Sequence, residues 1–207
     1  MKNGASSTPA AERIRKSAQE LFYQQGIRAV GVDEIVARAG VTKPSLYRSF
    51  PSKDELVADY LRHHGIERRQ LFDAMIAERP NDPRGQFRLW LKALAKKAGK
   101  ANYRGCGNSN AAVEYPEHDH PARKVAAENK RWFRERLNSL AKAMGALRPE
   151  VLGDGLLLLI EGTFASGQLF GPGGPAKNLV EAADVLIEAH VKKAARKPAR
   201  RARKSGR

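Results

Sequence analysis

Between Thr42 and Lys53 the sequence concentrates side chains suited to contacting a phosphodiester duplex rather than to making or breaking bonds. Thr42, Lys43, Pro44 and Ser45, followed one turn later by Tyr47 and Arg48, supply hydroxyls, cations and an aromatic ring. That mix matches phosphate oxygens, base edges and thymine methyl groups. Lys53 belongs to Ser52-Lys53-Asp54-Glu55, a capping box of Ser52 with Glu55, so its cation stands at a helix N-terminus. There the helix dipole already favours an anion such as phosphate. The alternative, a polar rim on a generic three-helix bundle, is the weaker reading, because the segment is too short and too polar to exist for packing alone.

The elements that must position these residues read as helices. A first helix spans about 9–25, with Thr8 as N-cap, Pro9 at the first helical position and Gly26 ending it. Ile14, Ala18, Leu21 and Phe22 form its apolar stripe. A second covers about 32–39, with Ile35, Val36 and Ala39 inward, and Gly40 permits a tight turn. Thr42 then caps a third helix of barely two turns, with Val41 and Leu46 placed as a hydrophobic staple and Pro51 closing it. A connecting helix follows over 53–64. Past Gly65, helices are expected at about 67–78, 83–99, 108–115, 120–144, 149–170 and 175–195, separated by Pro- and Gly-rich breaks. No stretch alternates apolar and polar residues as a strand would. The expected fold is all-α: an N-terminal helix-turn-helix domain over 1–52, with residues 1–8 flexible, a larger helical domain over 53–191, and a basic, disordered tail over 192–207.

The block GVDEIVARAGVTKPSLYRSFPSKDELVADYL resembles the DNA-binding domain of TetR-family regulators, and the resemblance runs from about Ala10 to Leu61. The Ala-Gly-Val-Thr turn, the Leu-Tyr-x-x-Phe close and the Ser-Lys-x-x-Leu cap stand at the family's spacing. It implies that Thr42, Lys43, Ser45, Tyr47, Arg48 and Lys53 face double-stranded operator DNA. Two departures are visible: Gly31 where a Ser or Thr cap is usual, and Val36 where Ala is usual. The resemblance also implies a homodimer, a small-molecule effector bound in the C-terminal helices, and repression as the usual mode.

The body is compatible with both implied roles. Leu156, Leu159, Ile160 and Phe164, with Leu179, Ala183, Leu186 and Ile187, are more apolar than one intramolecular face requires, and are the expected dimer interface. Phe87, Trp90, Leu91, Leu94, Tyr103, Asn110, Trp132, Phe133 and Leu137 are the candidate effector pocket, although each taken singly reads more readily as core.

Composition narrows the remaining classes. The net charge of +16 points to a polyanionic partner. Residues 192–207 hold nine Lys or Arg and no acid. This tail keeps a nonspecific basic DNA-binding protein open as an alternative. A single cysteine, Cys106, excludes an intramolecular disulfide and fits a reducing cytosol. The longest apolar run, Leu156 to Ile160, is far short of a membrane span, and the N-terminus lacks a secretory signal's apolar core. A cytoplasmic protein with no membrane partner is expected. Cys106, His118, Asp119 and His120 match no closed zinc pattern, so neither metal nor cofactor is expected. No phosphate-cradling glycine loop, nucleophile elbow or His-Glu-x-x-His appears, so no catalytic residue is assigned and the chain is not expected to be an enzyme.

Overall fold

Two buried apolar clusters organise the chain, and the helices are arranged around them. The computed structural model describes residues 9–78 and 81–191. Its helices are α1 (Pro9–Gln25), α2 (Val32–Ala39), α3 (Lys43–Ser49), α4 (Lys53–Ala77), α5 (Pro83–Ala98), α6 (Gly107–Glu114), α7 (Pro121–Ala143), α8 (Pro149–Phe170) and α9 (Leu179–His190). The fold is all-α, and among the described residues the only β pairing is an isolated bridge between Ala146 and Val191.

The first cluster joins α1, α2 and α3 to the start of α4 through Ile14, Leu21, Phe22, Ile35, Leu46 and Leu56. It also takes in Ala111, Tyr115, Ala122, Val125 and Ala126 from the α6–α7 region. The small N-terminal unit therefore shares its core with the body. Val36 is buried in this cluster, and Val41 packs against it. The second cluster lies between α5, α7, α8 and α9. Helix α7 packs along α8 and α4, and α9 against α5 and α8.

Two expectations about helix extents are corrected. The chain does not break at Gly65: α4 runs unbroken for 25 residues, about 37 Å. Gly65 is buried in a close approach to α7, where a Cβ would overlap the Asn129 side chain. The residue reads as a breaker, yet it serves a helix–helix contact. The last helix is also shorter than expected. Pro175–Asn178 form a 3-10 turn, and α9 ends at His190, whose carbonyl accepts the Leu147 N–H at 3.0 Å. Extended backbone at Val191 then pairs with Ala146. The expected flexible residues 1–8, helical residues 192–195 and basic tail 192–207 lie outside the described residues.

Candidate nucleic-acid interface and adjoining cavity

Helix α3 is held by what it buries and presents what it does not. Leu46 is fully buried, whereas Tyr47 is 48% exposed on the next position. Gly40 ends α2 in the left-handed conformation (φ 61°, ψ 44°), which glycine adopts without a Cβ penalty. Its N–H donates to the Ala37 carbonyl, and that of Val41 to Val36. This turn sets α3 across α2. The Thr42 hydroxyl oxygen caps α3 by accepting the Ser45 N–H at 3.4 Å, with Pro44 in the first turn. Ser45 also accepts from the Arg48 guanidinium at 2.9 Å, which links donors one turn apart. Thr42, Lys43, Pro44, Tyr47 and Arg48 are exposed, and Ser45 is half-buried.

Charge within this face is locally balanced. The Lys43 ammonium lies 2.7 Å from the Asp33 carboxylate on α2. The hydrogen bond to Asp33, and then its charge, raise the Lys43 pKa. Lys53 donates to the Arg28 carbonyl at 3.5 Å, and burial lowers its pKa. Ser52 caps α4 by accepting the Glu55 N–H at 3.0 Å. Gly31 precedes α2 in extended backbone with no side-chain cap, and its Cα faces open space.

On the far side of α4 lies a partly open cavity of about 860 Å³. Of the nine pocket candidates, Trp90, Leu94, Tyr103, Trp132 and Phe133 line it. Phe87, Leu91 and Leu137 are instead fully enclosed in the second cluster, and Asn110 donates to the Arg104 carbonyl at 2.8 Å outside the lining. Phe164, expected at the dimer interface, lines the cavity too. The apolar wall is an aromatic group: Phe72 meets Trp90, Phe133 and Trp132 edge-on with centroids 5.3, 5.6 and 6.4 Å apart.

Sequence reasoning missed the polar wall. His64, Arg68 and Arg69 come from α4, Lys97 from α5, Asn129 and Lys130 from α7, and Cys106 from the N-cap of α6. An unbroken α4 is the signal that would have placed Arg68 and Arg69 beside His64. Burial, then the charges of Arg68 and Lys97, hold the His64 pKa down to about 4. Burial pushes the Tyr60 hydroxyl up to about 12 and raises that of Tyr103. Arg69 donates to Asn129 at 2.9 Å and covers the Trp132 ring at 5.2 Å, while its Nε is buried without a partner. Lys130 pairs with Glu161.

The expected dimer-interface residues divide by burial. Leu156, Ile160, Leu179, Ala183 and Ile187 are buried in this chain's own second cluster, because α7 covers one side of α8 while α5 and α8 cover α9. That core position removes them from contact with a second copy. Leu159 and Leu186 are half-buried against the same cluster. Apolar side chains on the outside of these helices include Leu158 (72% exposed) and Val185 (64%), with Leu169 and Phe170. Among the described residues no three His, Cys, Asp or Glu side chains gather as metal ligands, and no helix is long and apolar enough to cross a membrane.

A helix-turn-helix with an exposed polar second helix thus adjoins a partly open cavity that α1 lines together with α4, α5, α7 and α8. Residues 14–60 match the model of bacterial regulatory proteins of the tetR family. The chain is 29% identical to a TetR-family transcriptional regulator from Streptomyces coelicolor of known structure, with a TM-score of 0.83 over 89% of this chain and 97% of that one. It is 50% identical over 48 residues to the HTH-type transcriptional activator FasR of Mycolicibacterium smegmatis, or 23% of this chain and 22% of that protein. Over 121 residues it is 31% identical to the HTH-type transcriptional repressor BdcR of Escherichia coli, covering 58% and 59% of the two chains. These matches span 22% and 59% of the two curated relatives' own lengths. The N-terminal residues 14–60 thus match the tetR family model, and the chain shares the fold of a solved TetR-family regulator.

Proposed function

We propose that the protein is a homodimeric transcriptional repressor that binds a palindromic operator through α3 and releases it when a small molecule enters the cavity. The observation that carries this reading is the exposed set Thr42, Lys43, Pro44, Tyr47 and Arg48 on a helix pinned by buried Leu46. Two such helices, about 34 Å apart across a twofold axis, would meet successive major grooves. Leu158, Val185, Leu169 and Phe170 on the outer side of α8 and α9 are the surface that a second copy would cover. Repression follows the family's usual mode, and the relatives above include one protein named an activator and one named a repressor.

Effector release requires the ligand to favour one arrangement of the DNA-reading unit over another. Helix α4 contributes Leu56 to the first cluster and Phe72 to the aromatic wall. Helix α6 begins at the cavity with Cys106 and Gly107 and ends at Glu114, which bonds the loop after α1. A shift at the cavity therefore has two routes to the unit that carries α3, one through α4 and one through the loop between α1 and α2.

The test is selection of bound fragments from a random DNA library at about 150 mM salt, where nonspecific phosphate binding is partly screened. The native protein should enrich a palindrome, and a Lys43→Ala, Tyr47→Ala variant should lose it. The second reading, a nonspecific basic binder, rests on the nine cations of residues 192–207. It requires binding that fades steeply with salt and survives that double substitution. Removing 192–207 should lower background affinity and leave operator preference intact.

A further inference from the structure

The cavity walls differ in character, and the difference specifies a ligand. One side is the aromatic group of Phe72, Trp90, Trp132 and Phe133. The lining also carries five cationic side chains, Lys16, Arg68, Arg69, Lys97 and Lys130, against two carboxylates, Glu20 and Glu78. Glu20 is already engaged by Arg38 at 2.5 Å, and Lys130 by Glu161. Arg68 and Lys97 have no carboxylate within ion-pair distance among the described residues. Both line the cavity together with His64, and after burial the charge of Arg68 lowers the Lys97 pKa, as the charges of both lower that of His64. Lys97 is half-buried, so water compensates this repulsion only in part.

We infer, resting on the effector reading above, that the cavity takes an organic anion with a flat or extended apolar body, its acidic group set between Arg68 and Lys97 and its body against Trp90, Trp132 and Phe133. An anion there neutralises two like charges at once, and charge-assisted bonds to Arg and Lys are the stronger kind. The apolar body covers the half-buried aromatic surface of Trp90, Trp132 and Phe133. A cationic or neutral amphiphile of the same shape leaves the Arg68–Lys97 repulsion in place.

The chain's two tryptophans, Trp90 and Trp132, both line the cavity, so intrinsic fluorescence reports its occupancy. The probes are 8-anilinonaphthalene-1-sulfonate and its uncharged analogue N-phenyl-1-naphthylamine, titrated into the full chain and followed by tryptophan quenching. The sulfonate should bind at least about tenfold tighter than the amine. In an Arg68→Met, Lys97→Met variant of unchanged thermal midpoint, that ratio should fall below about threefold, with the affinity for the amine within about twofold of native. Equal binding of both probes to the native chain, or a ratio indifferent to the two substitutions, overturns the anion assignment and leaves the cavity standing as an effector site. Failure of both probes to quench overturns the effector reading itself.

Discussion

The Glu114 carboxylate accepts the backbone N–H of Arg28 at 2.7 Å, tying the end of α6 to the loop between α1 and α2. The Lys53 ammonium reaches the Arg28 carbonyl, and the Arg28 guanidinium covers the Tyr115 ring at 5.2 Å, so one residue is held from three sides. Tyr115 in turn stacks on His120 with centroids 3.9 Å apart. The reading unit and the body thus meet at a defined polar seam beside their shared apolar core.

Removing the acceptor at that seam should loosen it measurably. In Glu114→Ala the Arg28 amide should exchange with solvent about fivefold faster, corresponding to a bond worth about 1 kcal/mol. Glu114→Gln keeps a carbonyl acceptor and should stay near the native rate. Equal exchange in all three proteins would mean that the bond does not hold the seam.

Gly65→Ala should destabilise the chain although alanine is the better helix former. Intrinsic propensity alone would favour alanine by about 1 kcal/mol. Against this, the new Cβ displaces Asn129, whose amide donates to the Leu61 carbonyl at 3.0 Å and to Asn108 at 3.1 Å. Overpacking of this kind costs about 1–3 kcal/mol. Urea unfolding should therefore give a net loss, and adding Asn129→Ala should yield a coupling term of opposite sign in the double-mutant cycle.

Gly31→Ser should do the reverse. The backbone there is ordinary extended conformation and the space around Cα is open, so a hydroxyl can cap α2 without strain. A gain of about 0.5 kcal/mol in chemical denaturation is expected. A loss of stability would refute the capping argument.

His64 gives the fold a pH dependence of known sign. Above about pH 6.5 the ring is neutral in both folded and unfolded chains, so it contributes no slope. Between pH 6.5 and about 4 the unfolded ring takes up a proton that burial, Arg68 and Lys97 deny to the folded one. Stability therefore falls as pH falls through that window, by about 1–3 kcal/mol in full, since the ring keeps some solvent contact. His64→Gln should remove this component from the difference between pH 7 and pH 4.5. The ion-paired His63 and His120 remain in both proteins and cancel in the comparison.

Leu158→Glu should leave the folded monomer intact and abolish the proposed dimer in sedimentation, because this side chain is 72% exposed and lies outside the chain's own core clusters. Leu156→Glu, by contrast, places a charge in the second cluster and should prevent folding.

Much of the reading unit was legible from residue order alone, because its determinants are local. Caps at Thr42 and Ser52, the left-handed turn at Gly40 and the apolar positions Ile35 and Leu46 act within a few residues of one another. Spacing along the chain therefore carries the geometry that exposes Thr42, Lys43, Tyr47 and Arg48. The body depends on contacts between residues far apart in sequence. Gly65 reads as a break until Asn129 is beside it, and Leu156 and Ile160 read as a free apolar face until α7 and α9 cover it. His64, Arg68 and Lys97 look like solvated surface residues in sequence. Only the packing of an unbroken α4 against α5 and α7 makes them one wall of a cavity, since electrostatic environment depends on distance through space and on burial.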